Sequence, residues 1–287
     1  MRNVLRQRWL LSGSVLLTLA LVHCSAASAP GIITMAEREV TTYLDKLADL
    51  HCTEAVTQEK LSPNGHVEAV QRAQFDYLLM MSGNANELQL NESRIESPSD
   101  RHKASTMPML VSNGISTMLL IFHPYYRDSF QFEVGPEELM HGEAVVPVRF
   151  TPIAGRRMPA ALAMRGREYP LALQGTAWLD GRSGAAVKID ASLQHDMSDV
   201  GLSALHIEVE YQSNQLKPGQ PAITLPALAT VDVTTPKQHW RNTHRFDAYK
   251  SFSTEAEQAA DVKVHVDSER PGDGSDATSS PKPKEKP

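Results

Sequence analysis

The chain has few cysteines, few aromatic residues and no long hydrophobic run. Its 287 residues include two cysteines, and aromatic residues make up 6% of the chain. Two cysteines exclude a disulfide scaffold and every zinc module that needs several Cys ligands. Acidic residues outnumber basic ones, 34 against 28, and a net charge of −6 argues against a nucleic-acid-binding protein. The hydrophobic share, 41%, is enough to bury a core.

Short catalytic motifs are also missing. The sequence has no H-E-x-x-H, no G-x-S-x-G elbow, no G-x-G-x-x-G and no P-loop. His239 and His244 lie on one predicted strand, but alternation sends them to opposite faces, so they do not chelate one metal ion. The same alternation turns Trp240, His244 and Phe246 inward. The sequence therefore predicts a protein that is not an enzyme and holds no metal or cofactor, and a hydrolase with scattered catalytic residues is the third hypothesis.

The N-terminal segment has the three-part pattern of a secretory signal. Arg2, Arg6 and Arg8 precede an apolar run of 14 residues, Trp9–Val22, and a small-residue stretch ends at Ala29. That run is shorter than the ~20 residues that a spanning helix needs. We predict a signal peptide over residues 1–29, an exported protein in the periplasm or outside the cell, and no transmembrane segment in the mature chain. Cys24 leaves a lipid anchor open as the alternative.

One helix and many strands are predicted downstream. Val40, Leu44 and Leu47 form a single apolar stripe, which predicts an amphipathic helix over Thr34–Leu50 with a capping box from Thr34 to Glu37. Alternating residues and turn sequences then predict ten strands. These are His51–Leu61, Val67–Met81, Glu87–Glu96, Ser129–Val134, Glu143–Thr151, Glu168–Asp180, Ala185–Gln194, Leu202–Gln212, Ala229–Thr235 and Gln238–Phe252.

Three further segments complete the organisation. Ile115–Phe122 is apolar on every side, which predicts a short buried helix that ends before Pro124 and fills or covers a hollow. The loop 154–168 is rich in arginine and includes Arg156 and Arg157, whose guanidinium groups suit carboxylate or phosphate groups. Residues 254–287 are rich in Pro, Ser, Lys and Asp and are predicted to be disordered. A single domain over residues 30–253 is expected between signal and tail.

Two sequence patterns carry a family resemblance. One is the hairpin Gly175–Gly184 with Val187–Ile189, and the other is the strand Trp240–Tyr249. Together with the order of elements, they make the chain resemble the LolA/LolB-like superfamily, the periplasmic lipoprotein carriers and their sensor relatives of the RseB type. The resemblance implies an α+β fold, in which a strongly curved antiparallel sheet forms an incomplete β-barrel with helices packed against its concave face. It supplies no catalytic residues.

The predicted function follows from the physics of that fold. A curved sheet with an apolar concave face leaves a cavity that a helix or a ligand must fill. We predict an envelope protein that binds a hydrophobic ligand, such as an acyl chain of a lipid or lipoprotein, with a permanently packed core as the open alternative. A second function class is a protein-interaction or envelope-stress sensor module that engages a protein partner without a small ligand. The ligand contacts are expected from Trp178, Trp240, Phe246, Ile115, Leu119, Phe122, Arg156 and Arg157.

Overall fold

The structure is a computed structural model. It describes residues 29–47, 50–84, 87–96, 114–164, 167–217 and 219–251. The predicted signal up to residue 28, with Cys24, and the predicted tail lie outside the described residues. The predicted domain boundaries therefore stay predictions.

The described residues form two α-helices, two short 3-10 helices and thirteen strands. The helices are α1 (Ala29–Leu47), α2 (Pro124–Arg127) and the 3-10 helices Met118–Phe122 and Ser198–Val200. The strands are β1 (Leu50–Leu61), β2 (Val67–Asn84), β3 (Glu87–Glu96), β4 (Phe130–Val134), β5 (Glu138–Met140), β6 (Glu143–Pro152), β7 (Ala161–Met164), β8 (Arg167–Pro170), β9 (Leu173–Asp180), β10 (Ala186–Leu193), β11 (Ala204–Asn214), β12 (Ile223–Thr234) and β13 (His239–Ser251).

Eleven of the described strands form one antiparallel sheet. Its order is β3-β2-β1-β13-β12-β11-β10-β9-β6-β4, with β5 paired to β6, while β7 and β8 form a separate hairpin. The first and last strands along the chain, β1 and β13, pair over their whole length. Among the described residues β3 and β4 end the order without pairing to each other, so the sheet is an open one. The predicted α+β class with an incomplete barrel is confirmed.

Helix α1 lies on the concave face of this sheet. Its apolar side is buried and comprises Ile32, Ala36, Val40, Tyr43 and Leu44. Val40 and Leu44 of the predicted stripe are buried, and the Leu47 side chain lies outside the described ones; the predicted capping box is wrong. The helix begins at Ala29, five residues before Thr34, because Pro30 suits the first turn, where a missing N–H costs nothing.

The segment before α2 is buried as predicted. Every residue from Ile115 to Phe122 is buried, and the last five form a 3-10 helix. His123 then adopts an extended conformation with ψ of 140°, as expected for a residue before proline. Its Nδ1 accepts a hydrogen bond from the Tyr125 N–H at 3.2 Å and so caps α2.

Strand boundaries differ from prediction at three places. Glu168–Asp180 is two strands, β8 and β9, separated by residues 171 and 172. The arginine-rich loop contains a strand that was not predicted, β7. Strand β12 begins at Ile223, six residues before the predicted start, because the register with β11 shifts where Tyr211 faces Pro226. A bulge of this kind accommodates a proline within a sheet.

Candidate functional site

The hollow of the curved sheet is filled with side chains. The side chains of α1, of the 3-10 helix Met118–Phe122 and of the inward-facing strand positions form one hydrophobic core. A narrow gap remains between α1, the β9–β10 turn and the start of β12, with a volume of about 30 Å³. Pockets for small molecules measure roughly 300–1,000 Å³, and a single water occupies roughly 30 Å³. This gap therefore has no room for an acyl chain while α1 stays in place.

A wider cleft lies at the β4 edge of the sheet. It has a volume of about 380 Å³ and is open to solvent on one side. Strand β4 provides Phe130, Phe132 and Val134, and α1 provides Ile33. The remaining lining residues are polar: Thr34, Arg127 and Asp128. We call this feature the β4 cleft, and it is large enough for part of a small-molecule ligand.

Aromatic contacts fix the inner wall of the β4 cleft. The rings of Phe122 and Phe132 are stacked with centroids 5.4 Å apart. Phe130 lies 6.2 Å from Phe132 and meets Phe150 edge to face at 6.0 Å. Ring pairs at these distances add roughly 0.5–1.5 kcal/mol beyond the area they bury. The wall is therefore preformed and connects the cleft directly to the packed core.

Cationic side chains lie at the α2 end of the β4 cleft. Arg127 forms ion pairs with Glu37 of α1 and, at 3.6 Å, with Asp128. Arg157 lies with its guanidinium carbon 4.1 Å from the ring centroid of Tyr125, also in α2. Arg156 and Arg157 are both exposed. The predicted arginine loop thus packs on the short helix whose last residue lines the cleft.

Most of the predicted apolar contact residues are buried in the interior. Ile115, Leu119, Phe122 and Phe246 are at most 5% exposed and belong to the main core. Trp240 is 6% exposed, and its indole N–H donates to the Gln238 side chain at 3.1 Å. Of this set, Phe122 has a described contact with the β4 cleft, through its stack on Phe132. The others line the cleft only if the interior opens.

Trp178 is not on the concave face. Its neighbours Ala177 and Leu179 are fully buried in the core, so alternation along β9 turns Trp178 to the other side of the sheet. There its indole N–H donates to Glu138 at 2.6 Å, and the Lys188 ammonium lies 5.8 Å from its ring centroid. The structure therefore does not bring Trp178 together with the other predicted ligand contacts.

A buried polar network that the sequence did not predict lies on the concave face. Glu54 of β1 has no exposed surface and accepts a hydrogen bond from Arg94 Nη2 at 2.9 Å. His244 of β13, also fully buried, places Nδ1 2.8 Å from Glu54 Oε1, the oxygen that also accepts from Arg94 Nη2. Arg94 also pairs with Glu92, whose second carboxylate oxygen accepts the Gly114 N–H at 2.9 Å. We call Glu54, Glu92, Arg94 and His244 the buried charge network.

The pKa values of the two carboxylates in this network are shifted in opposite directions. Burial on its own would raise the pKa of Glu54, but hydrogen bonds from His244 and Arg94 outweigh it and hold that pKa below its usual value. Burial dominates for Glu92 and raises its pKa, although Arg94 and the Gly114 N–H favour the ionised form. Glu54 is therefore the ionised partner of Arg94, and Glu92 is the carboxylate that loses most by ionising.

The network ties separate parts of the fold together rather than presenting a reactive group. His244 Nε2 is buried and forms no hydrogen bond with the described residues. The nearby Ser116 hydroxyl is instead 3.0 Å from the Tyr77 hydroxyl. A nucleophile has to lie within hydrogen-bond reach of its base. Within the described residues, the arrangement therefore joins β1, β3, β13 and the turn at Gly114, and it does not form a catalytic pair.

The described residues also include a cysteine, Cys52, and side chains of the types that bind metal ions. Cys52 is buried, and burial raises the pKa of its thiol to about 12, so it is an unreactive core residue. Among the described residues, no group of three His, Cys, Asp or Glu side chains is arranged to hold a metal ion. None of the described helices has the length and apolar character needed to cross a bilayer.

Comparisons with known proteins give similarity in fold. No protein-family model matches the chain, and no curated protein does. A DUF1329 family protein from Desulfovibrio piger is 12% identical, with a TM-score of 0.42 over 77% of this chain and 92% of that one. A LolA superfamily protein from Nitrosomonas europaea is 10% identical, with a TM-score of 0.36 over 78% and 93%.

A third solved structure is an outer membrane lipoprotein-sorting protein domain from Vibrio parahaemolyticus. It is 9% identical, with a TM-score of 0.35 over 75% of this chain and 93% of that one. The resemblance to LolA-like proteins that the sequence predicted is confirmed as a similarity of layout. At these identities and scores the similarity gives no information about ligands, and only the site itself bears on the function.

Proposed function

We propose that the protein is a non-enzymatic, exported envelope protein that binds a hydrophobic ligand, such as an acyl chain of a lipid or lipoprotein, starting at the β4 cleft. The observation that supports this proposal is the cleft itself, about 380 Å³ with an apolar wall of Ile33, Phe132 and Val134. Each buried CH₂ group contributes ~0.8 kcal/mol, so about six of them give roughly 5 kcal/mol without any catalytic group.

Energetics favour the cleft over the filled interior as the entry point. Opening the interior exposes the buried side of α1, where Ile32, Val40 and Leu44 are at most 4% exposed. Full burial of each such side chain is worth about 1.5–3 kcal/mol, so these three alone oppose opening by about 4.5–9 kcal/mol. That cost is as large as the gain from the first few methylenes. A ligand therefore meets the β4 cleft before it displaces α1.

The polar end of the ligand is assigned to the arginine loop. Arg157 packs its guanidinium group on Tyr125 of the helix that borders the cleft, and its chain neighbour Arg156 is exposed. Guanidinium groups bind carboxylate and phosphate oxygens in pairs of hydrogen bonds. In this proposal Arg156 and Arg157 keep the ligand-contact role expected from the sequence, while Phe122, which is fully buried, supports the cleft wall through its stack on Phe132. Ile115, Leu119, Trp240 and Phe246 would contact a ligand only after α1 moves.

The proposal is tested by filling the cleft. Val134→Trp places an indole in the space between β4 and α1, and Val70→Trp is the control, since Val70 is a strand valine of β2 that is 43% exposed. Binding of a fluorescent fatty acid to the purified mature chain is titrated, and native mass spectrometry records lipid that copurifies. We expect at least tenfold weaker binding for Val134→Trp and unchanged binding for Val70→Trp. Equal affinity of both variants, or no binding by the parent protein, refutes the proposal.

A further inference from the structure

Strand β4 ends the sheet and has one free edge. Within the described part of the chain it pairs only with β6. The register places Phe130 opposite Pro152, Phe132 opposite Phe150 and Val134 opposite Val148. Which backbone groups face β6 and which face outward then depends on the alternation of bonded and non-bonded pairs in an antiparallel ladder.

Two hydrogen bonds at the ends of β4 settle that alternation. The Ile153 N–H donates to the Ser129 carbonyl, and the Gly135 N–H donates to the Pro147 carbonyl, both at 2.8 Å. Both contacts fall on odd-numbered residues of this strand and its flanks, so Gln131 and Glu133 also bond to β6. The N–H and C=O groups of Phe130, Phe132 and Val134 therefore point away from β6, along the free edge.

The side chains of these three residues also line the β4 cleft. Gln131 and Glu133 lie on the opposite face of the strand and are exposed; the Glu133 side chain is 77% exposed and lies 3.8 Å from Arg149 of β6. One stretch of five residues thus combines free main-chain donors and acceptors with an adjacent apolar groove and an outward carboxylate. These are the features by which a sheet edge recognises an extended peptide, with the main chain giving affinity and the groove accepting alternate side chains.

We propose that the β4 edge docks an extended segment of a partner protein by β-strand addition. The segment carries apolar residues at alternate positions, which enter the β4 cleft beside Ile33, and a Lys or Arg on the other face near Glu133. The recognition uses the backbone of Phe130, Phe132 and Val134, so it is a protein-interaction site distinct from acyl-chain binding in its chemistry. Both ligands would occupy the β4 cleft and compete for it, and only strand addition depends on these main-chain groups.

The test uses a synthetic nine-residue peptide in which valine alternates with threonine between terminal lysines. Amide hydrogen exchange is followed by NMR on the full mature chain with and without this peptide. We expect new protection at the amides of Phe130, Phe132 and Val134, while those of Gln131 and Glu133 are protected in both states. A peptide N-methylated at alternate residues is expected to lose at least tenfold in affinity. Protection elsewhere, no protection, or equal binding of the methylated peptide overturns the proposal.

A pair of variants separates main-chain from side-chain recognition. Val134→Pro removes an N–H that faces the free edge, so it breaks no bond to β6, and proline is tolerated at such positions. Val134→Ala keeps the N–H and shortens the side chain. We expect Val134→Pro to lose peptide binding at least tenfold more than Val134→Ala, while both variants keep the far-UV circular dichroism spectrum of the parent protein. If Val134→Pro binds the peptide as well as Val134→Ala, strand addition is wrong even where fatty-acid binding persists.

Discussion

Gly184 determines how closely α1 approaches the sheet, and replacing it by alanine tests that packing. Gly184 ends the β9–β10 turn with φ of +79°. A Cβ built there would lie 2.5 Å from Met35 Cβ and 2.7 Å from the Ala36 nitrogen, both in α1. Since the second contact is backbone, no side-chain rotation relieves it, and α1 has to shift away from the turn.

A matched control isolates that contact. Gly65, in the β1–β2 turn, has nearly the same φ of +78°, and a Cβ there meets no atom within 4 Å. Both alanine variants therefore pay the same left-handed backbone penalty of roughly 1–2 kcal/mol. Only Gly184→Ala adds the crowding against α1, and overpacking of this kind costs roughly 1–3 kcal/mol. We expect Gly184→Ala to be less stable than Gly65→Ala by about 1–3 kcal/mol.

The free energy of unfolding of both variants is measured by urea titration with far-UV circular dichroism. The slopes with urea have to agree between variants for the difference to be interpreted as stability. A displaced α1 also exposes core surface, so Gly184→Ala is expected to bind more of the dye ANS than Gly65→Ala does. If the two variants unfold within about 0.5 kcal/mol of each other and bind the dye equally, the close approach of α1 to the turn does not determine its position.

The remaining predictions concern the buried charge network. Glu54→Gln leaves Arg94 without its ionised partner, so we expect the free energy of unfolding, measured with urea at pH 7, to fall by roughly 3–5 kcal/mol. The control is Glu59→Gln on the same strand, for which we expect a fall of under ~1 kcal/mol. A small loss for both variants contradicts the assigned ion pair. Because the pKa of Glu92 is raised in the folded protein, this residue contributes its full stability below its unfolded pKa near 4.5. That contribution is lost as the pH rises through the folded pKa. Glu92→Gln removes this loss, so its stability relative to the parent protein should increase between pH 4.5 and 7.5, and parallel pH profiles would show that Glu92 carries no such cost.

Local patterns in the sequence predicted the parts of the fold that depend on neighbouring residues. The hairpin that ends at Gly184 and the burial of His244 and Phe246 on one face both follow from spacing, and the structure confirms them. The capping box at Thr34 failed because a second N-terminal signal, Pro30, lies four residues earlier and the helix begins there. Both signals are local, and the sequence does not say at which one the helix begins.

The site was harder to predict because its contacts join distant residues. Glu54 and His244 are 190 positions apart and meet only because β1 pairs with β13. Nothing in either strand alone predicts that pairing. The β4 cleft likewise needs Ile33 of α1 beside Phe132 of β4. Trp178 was expected to contact the ligand, but on β9 it lies on the face opposite to Ala177 and Leu179. Those two residues have smaller side chains and face the core, and alternation alone does not say which face of a strand is buried.

The filled interior restricts how a LolA-like layout can bind a ligand in this chain. A carrier that stores its ligand inside the sheet has to displace α1, whereas a protein that binds at the β4 edge leaves α1 in place. The two modes respond differently to the same variants. Gly184→Ala displaces α1, which also carries Ile33 of the cleft wall, so interior binding predicts tighter fatty-acid binding by this variant and edge binding predicts no gain in affinity. Val134→Trp fills the cleft without touching Gly184, so it abolishes edge binding and spares interior binding. Ligand binding at the β4 edge is established only when both variants give the expected affinities, because either result alone is also produced by a change in the stability of α1.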